Sequence, residues 1–361
     1  ALQARIAGLR GNNAAARAAL EAAAAADPHR ADTHEALTDW LADHEGPEAA
    51  IAYLEGAYAE RPELRRLFEL LASFLRYRDD ARAIELLRAR LTEHPDDAWA
   101  RRELALALER GGDREQGLAV VDEAIEWLPY DTYAHSIRGD LLLHLGRREE
   151  AREALRRAIE LDVDNRAAIA LLADAGESQE ERREDLRFVH ARLLARVSAG
   201  PGVAAFADAS HCFDPAERVE SLSTLEQHQR DVPVAADAAV RAVEATGDLD
   251  TAWKRLEEAR ERFPCNPELL LTRARLAFLR GDDAEERGSL ESLVRLAPFW
   301  TSPRLRLARH LKTRGLEEEA AELLEQGLAL RPRDASWRME RALLDWRRGR
   351  REEALELLQQ S

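Results

Sequence analysis

The sequence predicts an all-helical solenoid of about eleven helical hairpins, two of them degenerate, because three series of residues recur with a common period. Proline stands at Pro28, Pro62, Pro95, Pro129, Pro264, Pro298 and Pro332. Glycine stands at Gly112, Gly146, Gly247, Gly281, Gly315 and Gly349, and a small residue at Ala16, Ala50, Ala83, Gly117, Ala151, Ala252, Ala320 and Ala354. Most intervals are 34 residues, a length that fits two short helices and their turns.

The residue types at these places fit a helical hairpin. After Gly146, apolar side chains recur at helical spacing through Ala151, Leu155 and Ile159, which predicts a buried stripe on the second helix. Glycine permits the tight turn between the helices, and proline ends the second helix because it lacks an amide donor. Capping residues for the following helix are expected at Asp96, Asp97, Asn165 and Asp334. A lone hairpin cannot bury its stripe, so stacking should complete the core.

This unit, with glycine, a small residue and proline at fixed places, resembles the tetratricopeptide repeat. The resemblance covers about nine of the eleven or so units, although the tryptophan and tyrosine usual in the unit are mostly replaced by Leu and Ala. It implies an α-α superhelix in which the first helix of each hairpin lines a concave groove. It also implies binding of a protein or an extended peptide.

The glycine, small-residue and proline pattern is clear in some parts of the chain and weak in others, which predicts three segments. Residues 1–165 form an N-terminal array, residues 166–231 hold degenerate helical repeats or a hinge, and residues 232–361 form a C-terminal array. In the middle segment Gly200, Pro201 and Gly202 interrupt the helical pattern. Two interpretations stay open: drift in a region without binding constraint, or a hinge or change of superhelical pitch that lets the two arrays form separate surfaces.

Composition limits the possible partners. The net charge of −16 argues against a nucleic-acid-binding surface along the whole molecule. Two distant cysteines, Cys212 and Cys265, make no disulfide framework. No apolar stretch approaches the roughly 20 residues of a membrane span, and no signal peptide is evident. The Arg- and Ala-rich composition suggests a soluble protein of a bacterial cytoplasm or periplasm, and the start at Ala1 in a helical pattern suggests part of a longer protein.

The sequence predicts no catalytic, cofactor-binding or metal site. It contains no P-loop, dinucleotide-binding, zinc-protease or serine-hydrolase motif. His211 and Cys212 are the one tempting pair, but neighbouring residues on a helix point about 100° apart and converge poorly on one atom. We therefore expect a structural role for both.

Charge is sorted along the expected groove. The ninth residue of each unit should point into it, and these residues include Asp39, Asp140 and Asp174 in the early units and Arg241, Arg275 and Arg309 in the later ones. Further charged residues of the same first helices are Asp32, Glu35 and Asp43 near Asp39, and Arg306 and Lys312 near Arg309. The arginines could hold carboxylates of an acidic partner, since guanidinium binds carboxylate with two hydrogen bonds. Alternatively, the charges pair between neighbouring repeats on a solvated face, where each pair contributes about 0–1 kcal/mol.

Aromatic residues give further candidates for partner contacts. Tyr133 and Trp300 lie near turns between units, and Trp99 lies on a first helix. Exposed aromatic side chains are common interface anchors. Equally, aromatic residues near turns can seal the joint between hairpins.

The leading functional hypothesis is a non-catalytic scaffold that binds a protein or peptide, possibly acidic where it meets the C-terminal groove. A second copy, bound through its acidic early groove, would give head-to-tail association. The alternative is an accessory region of a larger enzyme, such as a glycosyltransferase or peptidase, whose catalytic domain lies outside this chain. RNA binding is a weaker alternative because no aromatic stacking platform is evident beside the basic helices. Leu355, Leu357 and Leu358 lie on a last helix with no capping helix after it, so we expect the ends of the given chain to be either artificial or covered by a partner.

Overall fold

The computed structural model describes Ala7 and residues 12–359, and this part of the chain is all-helical. It contains 21 α-helices, one short 3-10 helix and no strand. The first eleven are α1 Asn13–Ala26, α2 Ala31–His44, α3 Pro47–Glu60, α4 Arg65–Arg76, α5 Asp80–Glu93, α6 Ala98–Arg110, α7 Arg114–Trp127, α8 Thr132–His144, α9 Arg148–Leu161, α10 Arg166–Ala175 and α11 Gln179–Ala195. The others are α12 Pro201–Ala209, α13 Pro215–His228, α14 Pro233–Glu244, α15 Leu249–Arg262, α16 Pro267–Arg280, α17 Asp283–Leu296, α18 Thr301–Thr313, α19 Glu317–Leu330, α20 Ala335–Arg347 and α21 Arg351–Gln359.

The helices form hairpins from α2/α3 to α20/α21, which confirms the predicted helical solenoid. The helix expected before α1 falls mostly outside the described residues. Glycine is needed in the hairpin turns: Gly146, between α8 and α9, has φ +76°, a conformation that a residue with Cβ adopts only at a cost. No helix in the described part is long and apolar enough to cross a membrane.

Acidic and amide side chains start many of these helices. Asp97, Asn165 and Asp334 accept backbone hydrogen bonds at the starts of α6, α10 and α20, as the sequence predicts. Asp113 and Asp248 do the same for the second helices α7 and α15. Each cap satisfies amides that have no partner within the helix, so the helix start is encoded locally.

Small residues allow the paired helices to approach closely. Ala50, Ala83, Ala151, Ala252 and Ala320 are completely buried at the predicted place of the second helix. At the same place in α7, a Cβ on Gly117 would lie 3.0 Å from the carbonyl oxygen of Ala105, which explains the glycine there. Four residues after each of these small residues, a larger apolar side chain fills the core at Leu54, Leu87, Val121, Leu155, Leu256 and Leu324, all fully buried.

The middle segment keeps two hairpins, α10/α11 and α12/α13. After the break at Gly200, helix α12 begins at Pro201 and ends at Ala209, where a 3-10 helix, Ser210–Cys212, follows. Phe206 of α12 is completely buried in a core shared with Leu172 of α10 and Leu193 of α11. The division into segments 1–165, 166–231 and 232–361 concerns how well the repeat residues are kept, and it stays a prediction.

A carboxylate fixes the break between α11 and α12. Asp164, in the turn before α10, accepts hydrogen bonds from Ser198 Oγ at 2.5 Å and from the amides of Ala199 and Gly202 at 2.6 and 2.8 Å. Burial opposes ionisation there, but these hydrogen bonds lower the pKa of Asp164 below its usual value. The irregular backbone is thus tied to the preceding hairpin rather than left unsatisfied.

A buried ion pair joins α9 to α11. Asp185 of α11 is completely buried and accepts hydrogen bonds from Arg152 Nε at 2.9 Å and from Arg156 Nη2 at 2.7 Å. The two arginines lie four residues apart on one face of α9. Their two positive charges therefore meet one buried carboxylate.

Contacts group the chain into two compact units. The first comprises residues 1–74 and 281–361, and the second comprises residues 75–280. Within the first unit, Arg331 Nη2 lies 3.5 Å from Asp43 Oδ1, and Arg333 Nε donates to the carbonyl of His44 at 3.1 Å. The first unit therefore joins parts of the chain almost 300 residues apart.

Candidate functional site

The acidic candidates of the first unit lie on α2. Asp32 and Asp39 are exposed, whereas Glu35 is held by Arg66 of α4 at 2.7 Å. The pKa of Asp39 is raised, mainly by desolvation and to a smaller extent by the negative charges of Glu35 and Asp43. Negative charge is therefore crowded on this helix.

The basic candidates of the first unit lie on α18 and already have acidic neighbours. Arg309 and Lys312 both contact Glu340 of α20, at 2.8 and 2.6 Å. Arg306 contacts the buried Glu286 of α17 at 3.4 Å. Arg309 remains 63% exposed, whereas Lys312 is largely buried. Arg309 is therefore the member of this group most accessible to a partner.

The arginines of the second unit differ from each other. Arg275 of α16 donates to Glu244 of α14. Arg241 of α14 has no such close partner: its nearest carboxylates belong to Asp237 and Asp208, at 3.9 and 4.0 Å. Whether Arg241, Arg275 and Arg309 face one groove together remains a prediction, since Arg309 belongs to the other unit.

Asp237 lies one helical turn before Arg241 on α14 and is buried. It accepts a hydrogen bond from the hydroxyl of Thr272, but burial raises its pKa, which this bond and the charge of Arg241 only partly oppose. The pKa of Asp237 is thus higher in the folded than in the unfolded state, so the folded state favours the protonated carboxyl. As pH rises from the unfolded-state pKa through the folded-state pKa, Asp237 loses its proton and the protein loses stability.

We therefore expect Asp237→Asn to stabilise the protein at pH 7, because asparagine carries no charge and still accepts the Thr272 hydrogen bond. The expected rise in melting temperature is about 2 °C, and it should vanish near pH 3, where the wild-type carboxyl is protonated. Differential scanning calorimetry at both pH values measures this. A lower melting temperature at pH 7 would contradict the prediction.

The second unit also contains the acidic candidates Asp140 and Asp174. Asp174 is exposed, while Asp140 lies with Glu109 and His144 so that one donor atom of each is within 4.8 Å of the others. His144 Nδ1 lies 2.5 Å from Glu109 Oε1, a contact that joins α8 to α6. Burial raises the pKa of both carboxyl groups, and the charge of Asp140 adds to the effect on Glu109. The three side chains thus form an acidic spot on neighbouring first helices.

The histidine and cysteine singled out by the sequence lie in the 3-10 helix. Burial raises the pKa of the Cys212 thiol, which disfavours the thiolate that a nucleophile needs. The carbonyl of Cys212 accepts hydrogen bonds from Gln179 and Arg183, at 3.3 and 2.9 Å. These contacts favour a structural position for this segment.

The aromatic candidates occupy different environments. Tyr133 is exposed, and the guanidinium of Arg102 lies 5.5 Å from its ring centroid. Trp99 and Trp300 are half-buried and so combine packing with partial accessibility. Trp337, on α20, is completely buried.

Family models identify the repeat. Residues 132–165 match one model described as tetratricopeptide repeat, and residues 238–299 and 305–361 match a second with the same description. The chain is a tetratricopeptide repeat protein. Its fold is that of a protein-interaction scaffold.

Solved structures similar to this tetratricopeptide repeat protein include yeast Tom70, with 13% identity, a TM-score of 0.51, and coverage of 99% of this chain and 91% of that one. A chain in the structure of Naa15/Naa10 bound to HypK-THB has 17% identity and a TM-score of 0.37, and the match covers 98% of this chain but 61% of that one. MamA has 22% identity and a TM-score of 0.34, and the match covers 42% of this chain and 90% of MamA. The likeness to Tom70 shows the fold alone. No curated protein matches the sequence.

Within this tetratricopeptide repeat protein, pairing between neighbouring repeats was one of two interpretations of the candidate charges, but the individual partners were not identified from the sequence. Their signal is a separation of 31 residues, which joins Glu35 to Arg66, Glu244 to Arg275 and Arg309 to Glu340. In an array with a 34-residue period, this separation connects nearby places on neighbouring first helices. Several charges that a sequence shows as a ladder are therefore paired between repeats.

Proposed function

We propose that this protein is a non-catalytic scaffold that binds a protein or an extended peptide along its first helices and holds an acidic part of the partner at Arg241. The position of Arg241 carries the proposal. Its side chain is 38% exposed, yet the nearest carboxylate oxygens lie beyond hydrogen-bonding distance, at 3.9 and 4.0 Å. The guanidinium thus keeps its fork of donors for a carboxylate from outside.

The surroundings of Arg241 support an anionic ligand. Burial and then the positive charge of Arg241 lower the pKa of Arg218, on α13. Arg218 donates to Ser210 Oγ and the Ala207 carbonyl, at 3.1 and 3.3 Å, which are uncharged, and the negative charge of Asp208 only partly opposes the lowering of its pKa. A carboxylate from a partner would relieve the repulsion between the two guanidinium groups.

Changing Arg241, Arg275 and Arg309 together to Glu tests the proposal. Affinity capture from an extract of the source organism, quantified by mass spectrometry and followed by calorimetry with each purified binder, measures the effect. At least one protein should lose about tenfold or more in affinity, since a hydrogen bond to a charged group contributes about 1.5–3 kcal/mol. Circular dichroism and thermal unfolding of each variant check the fold, since Glu at positions 275 and 309 would face the carboxylates of Glu244 and Glu340.

A matched control changes Arg78, Arg114 and Arg166 to Glu, which alters the net charge equally at exposed positions. This control should retain the binder. Retention by both variants would refute the role of the arginines. Sedimentation of wild type and groove variant at low and high salt examines head-to-tail association: a self-complex that only the groove variant loses identifies the partner as a second copy.

A further inference from the structure

The last first helix, α20, carries an exposed apolar stripe. Met339, Leu343 and Trp346 are 49%, 47% and 49% exposed, and their spacing of four and three residues places them on one helix face. We call these three residues the α20 stripe. Side chains of this size are seldom left exposed as a contiguous group, and such groups mark binding surfaces.

Two of the three places in the α20 stripe carry charge one repeat earlier, and the third, that of Met339, corresponds to Leu305. Counting back 34 residues from Leu343 and Trp346 leads to Arg309 and Lys312 of α18. The first unit therefore presents a basic first helix followed by an apolar one. Since both series occupy the same places of the repeat, they should serve one partner.

The charge beside the stripe is net positive. Glu340, next to Met339 in sequence, is held by both Arg309 and Lys312. Burial alone would raise the pKa of Glu340, but the hydrogen bonds from Lys312 and Arg309 lower it below its usual value. This carboxylate therefore stays ionised and paired. One unit of positive charge remains among the three groups, carried at the surface by the exposed Arg309.

Two more arginines flank the other end of the stripe. The guanidinium of Arg351 lies 5.2 Å from the ring centroid of Trp346, and both Arg347 and Arg351 are exposed. A ligand on the stripe therefore meets cations at both ends. This arrangement favours apolar side chains bordered by carboxylates.

The side chains of the stripe also favour a helical ligand. Methionine and leucine donate no hydrogen bonds and would leave the backbone groups of an extended peptide without partners. A helix satisfies its own backbone and presents apolar residues at spacings of three and four, which match a stripe of the same period.

We propose that the α18–α20 surface binds an acidic amphipathic helix of a partner protein, with its apolar face on Met339, Leu343 and Trp346 and its carboxylates near Arg309. This inference rests on the proposed scaffold function and specifies the chemistry of one partner segment. It involves a different unit from Arg241, so the two can fail separately.

The test uses the full chain and a synthetic peptide probe labelled with fluorescein. The peptide is an 18-residue helix with Leu on one face and Glu on its flanks; comparison peptides have the same composition in scrambled order, or Lys in place of Glu. Fluorescence anisotropy measures binding to wild type. The amphipathic acidic peptide should bind at least about tenfold more tightly than either comparison peptide, a difference of about 1.4 kcal/mol.

Variants then locate the site. Leu343→Glu should weaken the peptide about tenfold or more, and Arg309→Glu should weaken it and reduce its dependence on salt. Leu296→Glu is the matched control, since Leu296 on α17 of the same unit is equally exposed, at 49%, and it should bind as wild type. Arg241→Glu should also leave the peptide affinity unchanged.

Several results would overturn this inference. These are equal binding of the scrambled or Lys peptide, equal loss in the Leu296 control, and no saturable binding to wild type. A wild-type dimer that Leu343→Glu converts to monomer in sedimentation would assign the stripe to a second copy instead. None of these results bears on the capture experiment when it is repeated with Arg241→Glu alone, a variant that leaves Arg309 in place and so judges the scaffold function on its own.

Discussion

Replacing Asp185 by asparagine is expected to lower the free energy of unfolding by about 3–5 kcal/mol. Asp185 is fully buried, and its carboxylate is the shared partner of Arg152 and Arg156. Asparagine keeps the shape but removes the charge, so two neighbouring guanidinium groups lose their compensation. Arg152 cannot escape into solvent, since its side chain is largely buried. Urea unfolding followed by circular dichroism measures the loss.

The neighbouring residue provides the control for this prediction. Glu184 is exposed and lies 3.4 Å from Arg156, so Glu184→Gln should cost about 0–1 kcal/mol. Adding Arg152→Met and Arg156→Met to Asp185→Leu should recover much of the lost stability, because an apolar cluster replaces the buried charges. If Asp185→Asn unfolds at the same urea concentration as the wild type, the ion pairs of Asp185 with Arg152 and Arg156 contribute little to stability.

Gly202→Ala is expected to destabilise the protein by about 2–3 kcal/mol through overpacking. A Cβ at this position would lie 2.0 Å from the carbonyl oxygen of Val163, a backbone atom that cannot rotate away. Relief requires α12 to move from the turn before α10, which breaks the 2.8 Å hydrogen bond from the Gly202 amide to Asp164. Thermal unfolding measures the effect, and hydrogen exchange should show faster exchange at the amides of Ala199 and Gly202.

Gly288→Ala makes the matched comparison with the opposite sign. Gly288 lies inside α17, and apart from its chain neighbours and the backbone of its own helix no atom lies within 4 Å of a new Cβ, so alanine should stabilise by about 0.5–1 kcal/mol through its better helix propensity. If the two variants behave alike, the clash at Gly202 is not what controls stability there.

The fold was predictable because its signals are local. A turn needs the backbone freedom of Gly146, a close helix approach needs a small side chain such as Ala151, and a helix start needs an acceptor such as Asp97. Each requirement is met within a few residues and recurs with the period. The Asp164 network was not predictable, since its ligands lie 34–38 residues away on an irregular segment.

The candidate site was only partly predictable from its sequence. Charge type and place along each first helix are visible, but whether an arginine is engaged depends on its neighbour in space. Arg275 and Arg241 occupy the same place of successive units, yet one is paired with Glu244 and the other has no close carboxylate. Trp337 and Trp346 likewise share one helix, and only their rotation about its axis makes one buried and the other exposed.

The contact of Arg331 with Asp43 has a consequence for the order of folding. Most other ion pairs join residues fewer than 40 apart, so they can form as soon as one hairpin docks on the next. The contact between Arg331 and Asp43 closes a loop of 288 residues. Closing so long a loop costs conformational entropy unless the intervening chain is already structured. Ion pairs between neighbouring hairpins should therefore form in the early kinetic phases of refolding. The contact between Arg331 and Asp43 should form last during refolding and open first during unfolding.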